Sequence, residues 1–221
     1  FMLINADFSR RAVMAHEHYQ WVASPQAGVE RVMLDRVGQE QARATSIVRY
    51  APESVFPAHR HPGGEEVLVL SGVFSEGQAH YSEGWYLRNP PGSSHQPASA
   101  QGAVIFVKLC QMPRQERLRV RINTRDPAAW RSERGREVCP LFSAGYEQVC
   151  LQRVPPGALL FAQPVDGAEV LVLDGEATAF GQSYGRGSWL RLPPGETANV
   201  AGGPQGATVY LKTGHLGHVR P

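Results

Sequence analysis

Cysteine and long apolar runs are scarce in this sequence of 221 residues. The three cysteines, Cys110, Cys139 and Cys150, form neither a Cys-x2-Cys pair nor an even set, so we predict reduced thiols rather than a disulfide framework. The longest apolar runs, such as Val67–Leu70 and Val104–Val107, have the length of a strand and fall far short of the roughly 20 residues of a membrane helix. The N-terminal segment also lacks the apolar core typical of a signal peptide, and we therefore expect a cytoplasmic protein.

An excess of charge of either sign is also missing. Lys and Arg number 22 against 20 Asp and Glu, which gives a formal net charge of +2 at pH 7. Because the basic residues are dispersed and balanced by acids, the composition argues against a protein that binds nucleic acid through bulk charge. Hydrophobic residues make up 42%, enough for a packed core, which argues against disorder. We expect neither a nucleic-acid nor a membrane partner.

No segment carries a convincing helical stripe of apolar residues, whereas glycine (23) and proline (17) are plentiful. Runs rich in β-branched and aromatic residues lie between these turn residues. They predict strands at Thr45–Tyr50, Val67–Leu70, Trp85–Arg88 and Ala103–Leu109. Short strands separated by frequent turns are typical of a sandwich or a barrel. The sequence therefore predicts an all-β fold.

The chain contains an internal repeat whose second copy follows the first by 103 residues. The segment Glu66–Gly72 returns as Glu169–Gly175, and the Gly-x2-Leu-Arg-x-Pro-Pro-Gly sequence that ends at Gly92 returns ending at Gly195. A period of this length is typical of a duplicated domain rather than of a solenoid unit. We predict two domains, 1–112 and 113–221.

Residues that could bind a metal lie in the first copy. His59 and His61 are two residues apart, a spacing that places both imidazoles on one face of a strand. A Pro-Gly-Gly turn then returns the chain toward the same point at Glu65, and His95 follows a second turn. Three imidazoles and one carboxylate suit a divalent transition ion, such as Zn, Fe, Mn, Ni or Cu. Four protein ligands leave further positions open for a small molecule.

The order His59-x-His61-x3-Glu65-x6-Gly72 resembles the first motif of the cupin family. The order Gly84-x5-Pro90-x-Gly92-x2-His95 resembles the second, with Ser99 at the end where the family often has Asn. The wider sequence is similar to the ChrR-like cupins, which form part of the ChrR anti-sigma factor, and more distantly to the cupin dioxygenase that cleaves acetylacetone. The resemblance implies two cupin (jelly-roll, double-stranded β-helix) barrels, with one metal ion bound by His59, His61, Glu65 and His95.

The second copy serves as an internal comparison for this metal site. At the positions of the four predicted ligands it has Ala162, Pro164, Ala168 and Ala198, while the glycines, prolines and aliphatic residues of the repeat remain. We therefore predict that the second domain is a degenerate cupin without metal ligands. Glu66 returns as Glu169, which favours Glu65 as the acidic ligand.

Two functions are open at this point. The ChrR-like resemblance implies a regulatory or stress-sensing module associated with anti-sigma factors. The sequence has no Cys-x2-Cys, so we expect it to lack the zinc-binding sigma-interaction domain and to associate little with a sigma factor. The alternative is a metal-dependent dioxygenase that acts on a small dicarbonyl substrate, with catalytic residues unassigned. A small-molecule ligand without turnover and a homodimer also stay open.

We interpret other polar residues as structural or exposed. Lys108 and Lys212, the only lysines, are predicted to share a structural role such as a paired charge. The Arg-rich stretch 114–121 is predicted to be solvated. The remaining histidines are expected at the surface, with His80 in a turn: His16, His18, His80, His215 and His218.

Overall fold

The computed structural model describes residues 2–218, without the side chain of His218, and it confirms the all-β prediction. The chain divides into two compact units, one of residues 2–6 and 20–125 and the other of residues 7–19 and 126–218. No helix in the described part of the chain has the length and apolarity needed to cross a membrane.

Strands of the first unit are β1 (Leu3–Ile4), β3 (Val22–Ala23), β4 (Val29–Val37), β5 (Arg43–Tyr50), β6 (Ser54–Val55), β7 (His59–His61), β8 (Glu65–Glu76), β9 (Ala79–Ser82), β10 (Trp85–Asn89), β11 (Ser93–His95), β12 (Pro97–Ser99), β13 (Ala103–Leu109) and β14 (Val120–Asn123). Strands of the second unit are β2 (Ala12–Met14), β15 (Arg131–Glu133), β16 (Arg136–Ala144), β17 (Glu147–Val154), β18 (Asp166–Ala179), β19 (Gln182–Gly185), β20 (Trp189–Pro194) and β21 (Ala201–Thr213). Short 3-10 helices lie at His16–His18, Pro127–Ala129 and His215–His218.

The two units repeat one sheet topology. In the first, the strand order is β1-β4-β5-β13-β8-β10-β14, and β7 pairs with β11 in a separate two-stranded sheet. In the second, the order is β15-β16-β17-β21-β18-β20-β2. The strands of the sequence repeat occupy matching places, since β8, β10 and β13 correspond to β18, β20 and β21. The structure therefore confirms two barrels of jelly-roll type.

The units do not divide the chain where the repeat suggested, between residues 112 and 113. Strand β14 pairs with β10 and belongs to the first unit, whereas β2 pairs with β20 and belongs to the second. The last strand of each sheet therefore comes from outside its own copy of the repeat. Strand β14 completes the first sheet but precedes the second copy in the sequence, and β2 completes the second sheet but precedes the first copy. Apolar periodicity stops near residue 112, so no local pattern indicates that β14 continues the first sheet.

Each unit has an apolar core on the inner side of its sheet. In β8, Val67 and Val69 join this core, while Leu68 is buried on the opposite face. Successive side chains of a strand point to opposite faces, so a strand buried on both faces appears in the sequence as a continuous apolar run. This explains why the central strand was predicted readily as Val67–Leu70.

Candidate metal centre

The strand pair β7 and β11 carries the three predicted histidines. The antiparallel register places His59 directly opposite His95, and His61 lies two residues along on the same face. Among the described residues, these three form the one group of three or more His, Cys, Asp or Glu side chains with ligand atoms within 4.8 Å of one another. The structure therefore brings together the histidines that the two motifs predicted.

The Nε2 atoms of the three rings converge. The distances are 3.0 Å between His59 and His61, 2.6 Å between His61 and His95, and 3.2 Å between His95 and His59. Bonds of about 2.1 Å at right angles to one central ion would separate such nitrogens by about 3.0 Å. The spacing therefore suits three imidazoles that bind one ion in common.

Outer contacts orient two of the rings. Nδ1 of His59 lies 3.1 Å from the carbonyl oxygen of Pro57, and Nδ1 of His95 lies 2.7 Å from a carboxylate oxygen of Glu76. Because both oxygens accept, each Nδ1 donates, and in the neutral form of these rings Nε2 carries the lone pair that can bind an ion. In that form, lone pairs at this distance repel unless a cation or a shared proton lies between them. The donor set therefore fits a divalent transition ion.

Glu65, the fourth predicted ligand, lies beside two of the histidines. Its carboxylate oxygens are 3.2 Å from Nε2 of His61 and 3.7 Å from Nε2 of His95, and the side chain is buried. The neighbouring Glu66 extends to the other face of the sheet, where it pairs with Arg88 at 3.1 Å. The placement agrees with the choice of Glu65 over Glu66, and its binding to an ion stays a prediction.

A polar network surrounds these residues. Glu76 accepts from His95 with one oxygen and from Arg121 Nη2 with the other, at 2.7 and 3.1 Å. The same Nη2 donates to the Asn89 side-chain oxygen at 2.7 Å, and the Asn89 amide donates to Glu65 at 3.2 Å. Burial alone would raise the pKa of Glu76, but the hydrogen bond from His95 and the charge of Arg121 outweigh it and lower this pKa. Glu76 is therefore ionised.

The two buried histidines differ in basicity. Burial lowers the pKa of His61 more than the charge of Glu65 raises it. Burial also acts to lower the pKa of His95, but the hydrogen bond to Glu76 and the charge of Glu65 outweigh it, so this pKa lies above its usual value. His59, in contrast, is exposed.

Aromatic rings form one side of the site. Phe74 lies 6.4 Å from the His95 ring and 5.8 Å from the Tyr50 ring, and Phe56 packs edge-on against Tyr50 at 5.0 Å. Burial, and then the charge of Glu65, raise the pKa of Tyr50, which keeps its phenol protonated. The surroundings of the His95 ring on this side are therefore aromatic.

Three other residues singled out in the sequence have separate outcomes: Ser99, His80 and His215. Ser99, which replaces the usual Asn, is buried and donates to the Val73 carbonyl at 2.6 Å, so it serves the fold. The prediction of a turn at His80 was wrong, since His80 lies in β9 and contacts the Ser75 hydroxyl at 2.7 Å. The prediction of an exposed His215 was also wrong, because its ring contacts the buried carboxylate of Glu169 at 2.7 Å.

The histidines near the N-terminus belong to the second unit, whereas the three converging histidines belong to the first. His16 and His18 are in a 3-10 helix of the second unit, and the His16 ring packs on Tyr19 with centroids 5.0 Å apart. The side chain of His218 lies outside the described part of the chain. All three cysteines are free, as predicted.

The stretch 114–121 is not solvated throughout, contrary to its prediction. Glu116 is buried and pairs with Arg88 at 3.0 Å, and Arg121 is largely buried in the network around the site. Sequence reasoning also missed Glu76 and Asn89. A signal existed, because the second copy has Ala179 and Leu192 at these positions, a loss that parallels the loss of the ligands.

Comparison with known proteins finds a family model that resembles the first part of the chain. Residues 9–113 match the model of the ChrR Cupin-like domain. No curated protein matches the chain. Similar solved structures include a putative dioxygenase from Nostoc punctiforme, with a TM-score of 0.77, 13% identity, and coverage of 96% of this chain and 85% of that one.

Two further structures bear metals. One is the bacterial pirin YhhW of Escherichia coli in complex with nickel(II), with a TM-score of 0.67, 9% identity, and coverage of 92% and 98% of the two chains. The other is Bacillus subtilis oxalate decarboxylase, described with Mn(II) centres, with a TM-score of 0.63, 12% identity, and coverage of 92% and 77%. At these identities the likeness shows the fold. The chain has a cupin fold, and its residues 9–113 match the model of the ChrR Cupin-like domain.

Proposed function

We propose that the first barrel binds one divalent transition ion through His59, His61, His95 and Glu65. The observation that carries this proposal is the convergence of three imidazole Nε2 atoms, each within 3.2 Å of the other two. The carboxylate of Glu65 beside two of them supplies negative charge for a cation. When bound, such an ion supplies a Lewis-acid centre with open positions for a small oxygen-donor ligand.

The chain's own residues prepare the site for this role. Glu76 holds the proton of His95 on Nδ1, and the Pro57 carbonyl does the same for His59, so both rings are oriented before binding. Phe74 is buried and lies 6.4 Å from the His95 ring, whereas His59 is exposed. The ion's identity is a matter for measurement.

We propose further that this centre serves a regulatory, stress-sensing role. The match of residues 9–113 to the ChrR Cupin-like domain supports it. In this role the bound ion or its ligand shell changes when the signal arrives. The expected partners are a small molecule at the ion, with little sigma-factor association.

A metal-dependent dioxygenase is the second candidate. Three imidazoles on one face of an ion leave adjacent positions where a dicarbonyl and oxygen could bind side by side. The Nostoc punctiforme neighbour, named as a dioxygenase, supports this candidate at the level of fold.

The metal proposal is tested by removing ions with a chelator, adding Ni, Mn, Fe(II) or Zn, and measuring bound metal per chain. We expect about one ion per chain in the wild type and a large loss in His95→Ala. His16→Ala, on the other unit, should bind like the wild type. If the wild type binds none of these ions, the proposal is wrong.

Oxygen uptake by the iron-loaded protein with acetylacetone and related β-dicarbonyls separates the two roles. A sensing role predicts no uptake, together with a change in the metal's spectrum on exposure to peroxide or singlet oxygen. Steady uptake that disappears in His95→Ala would favour the dioxygenase instead.

A further inference from the structure

One guanidinium group connects two of the proposed ligands. Arg121 Nη2 donates to Glu76, which accepts from His95, and also to Asn89, whose amide donates to Glu65. We call Glu76, Asn89 and Arg121 the outer belt. Each step of the belt is a hydrogen bond of 2.7 to 3.2 Å.

We propose that Arg121 is a positioning residue that fixes the orientation of both His95 and Glu65 through this belt. The inference rests on the proposed metal site. Arg121 touches neither ion nor substrate, and it acts by setting where the Nε2 lone pair of His95 and the carboxylate of Glu65 point. Residues that hydrogen-bond to metal ligands in this way orient them and raise their basicity.

The guanidinium itself is held in place. Nε donates to the Tyr81 hydroxyl at 3.0 Å, and Nη1 donates to the Val120 and Arg88 carbonyls at 2.7 and 3.3 Å. Its side chain is 13% exposed. A lysine has one ammonium on a flexible chain and cannot make this planar set of contacts, so its charge alone would not replace the geometry.

The second unit provides an independent comparison. Arg121 pairs with Leu87, and the matching Leu190 pairs with Val13, so Val13 takes the place of Arg121. The places of Glu76 and Asn89 are taken by Ala179 and Leu192. In the second unit, the residues that replace the belt and the ligands lie in or against its apolar core: Val13, Ala168, Ala179, Leu192 and Ala198.

Polar residues that serve only the fold behave differently. Arg88 and Glu66, which pair on the other face of the sheet, return as Arg191 and Glu169 in the unit without ligands. Tyr81, which holds Arg121, returns as Tyr184. The belt has therefore disappeared together with the ligands, as expected if it serves the ion rather than the sheet.

Metal affinity of the full chain tests the inference, with Arg121→Gln and Arg121→Lys compared with the wild type by chelator competition for Ni(II) and Co(II). We expect Arg121→Gln to weaken binding by about 10- to 100-fold. The metal affinity of Arg121→Lys should also stay low, with less than a third of the decrease in the logarithm of the affinity recovered. The visible spectrum of bound Co(II) should also change, since it reports ligand geometry.

Arg125→Gln is the matched control, because Arg125 lies four residues away and pairs with Glu83 at the surface. It should bind metal like the wild type. Thermal unfolding of the metal-free variants shows whether they fold. Should Arg121→Gln fail to fold, Glu76→Gln breaks the same belt without a change in side-chain size and is expected to give the same loss.

The outcomes separate the two proposals. If the wild type binds no ion, the metal site itself is wrong. If the wild type binds an ion and folded Arg121→Gln or Glu76→Gln keeps the same affinity and Co(II) spectrum, the metal site stands and the positioning role of the belt is wrong. Full recovery in Arg121→Lys would also overturn it, since charge alone would then suffice.

Discussion

Buried charged residues in this protein divide into those that serve the sheet and those that serve the site. Lys108 and Lys212 belong to the first kind. Lys212 pairs with Glu147 at 2.9 Å with both side chains almost fully buried, and Lys108 donates to Thr45 at 2.8 Å. The predicted structural role of these lysines agrees with these contacts.

Replacing Lys212 with Met should destabilise the protein by about 3 kcal/mol, because it leaves the Glu147 carboxylate buried without its cation. Urea unfolding followed by circular dichroism measures this change. The double variant Lys212→Met/Glu147→Leu should recover at least half of the loss. A single variant as stable as the wild type would contradict the importance of this pair.

The buried thiols should be unreactive in the folded protein. Burial raises the pKa of Cys139 and of Cys150 to about 11. At pH 8 only about one molecule in a thousand would then carry the reactive thiolate at either position. Iodoacetamide labelling followed by mass spectrometry should therefore modify both cysteines only after unfolding in denaturant.

The same raised pKa values have a consequence for stability. The unfolded thiols ionise near their usual pKa of 9.0, while the folded thiols keep their protons until about pH 11. The contribution of these two thiols to the free energy of unfolding is therefore fully present below pH 9, and it is lost as the pH rises toward 11. Rapid labelling of native Cys139 at pH 8 would contradict the raised pKa of its thiol.

Among individual residues, sequence reasoning found the four candidate ligands because their spacing is local. His59, His61 and Glu65 lie within seven residues, on β7 and at the start of β8 after the intervening turn. Arg121 could not be found in this way, since it reaches the site only because β14 pairs with β10. It ends a stretch that also contains Arg114, Arg117 and Arg119, and the usual environment of such arginines is solvent.

At the scale of elements, the repeated glycines mark one tight approach between strands. Gly72 and Gly175 both have positive φ, 71° and 69°, and a Cβ at either would collide with the carbonyl oxygen of Gly102 or Gly206. The same contact at the same place in both units explains why both copies keep glycine after the central apolar run. This glycine was predictable from sequence as a turn signal, but its strand contact was not.

Gly72→Ala should destabilise the first unit by about 3 kcal/mol, from the cost of a left-handed backbone and from the collision with the Gly102 carbonyl. Gly77→Ala is the matched control, because Gly77 also has positive φ but a Cβ added there would have no atom within 4 Å. We expect it to cost about 1 kcal/mol. Equal losses in urea unfolding would contradict the role of the strand contact.

Strand prediction succeeded where strands are apolar on both faces and failed where they are short and polar. Ala103–Leu109 was predicted to the residue. Strands β7 and β11, which carry the histidines, are three residues long and form their own two-stranded sheet. Their pairing depends on long-range contacts rather than on local propensity, so spacing predicted the shared face but not the partner strand.

At the scale of the whole molecule, one topology supports two different interiors. The first unit has a polar site within its barrel, and the second has an apolar core at the equivalent positions. The duplicated sheet tolerates this change because the residues that pair its strands and form its turns are retained. The fold and the proposed metal site therefore depend on separate sets of residues.

Metal binding should stabilise only the first unit. Addition of Ni(II) at about 100 times its dissociation constant would stabilise the bound state by about 2.7 kcal/mol. Hydrogen exchange followed by mass spectrometry should show added protection in β7, β8, β11 and β14, and unchanged exchange in β18 to β21. Protection of equal size in both units would contradict a single site in the first.

The exchange of end strands has a consequence for any attempt to divide this protein. A single cleavage between the copies, near residue 113, would leave β14 on the C-terminal fragment and β2 on the N-terminal fragment, each removed from the sheet it completes. The N-terminal fragment would also lose Arg121. Each fragment would then expose an unpaired sheet edge, so the duplicated halves are not interchangeable modules and would have to be recovered together to restore either sheet.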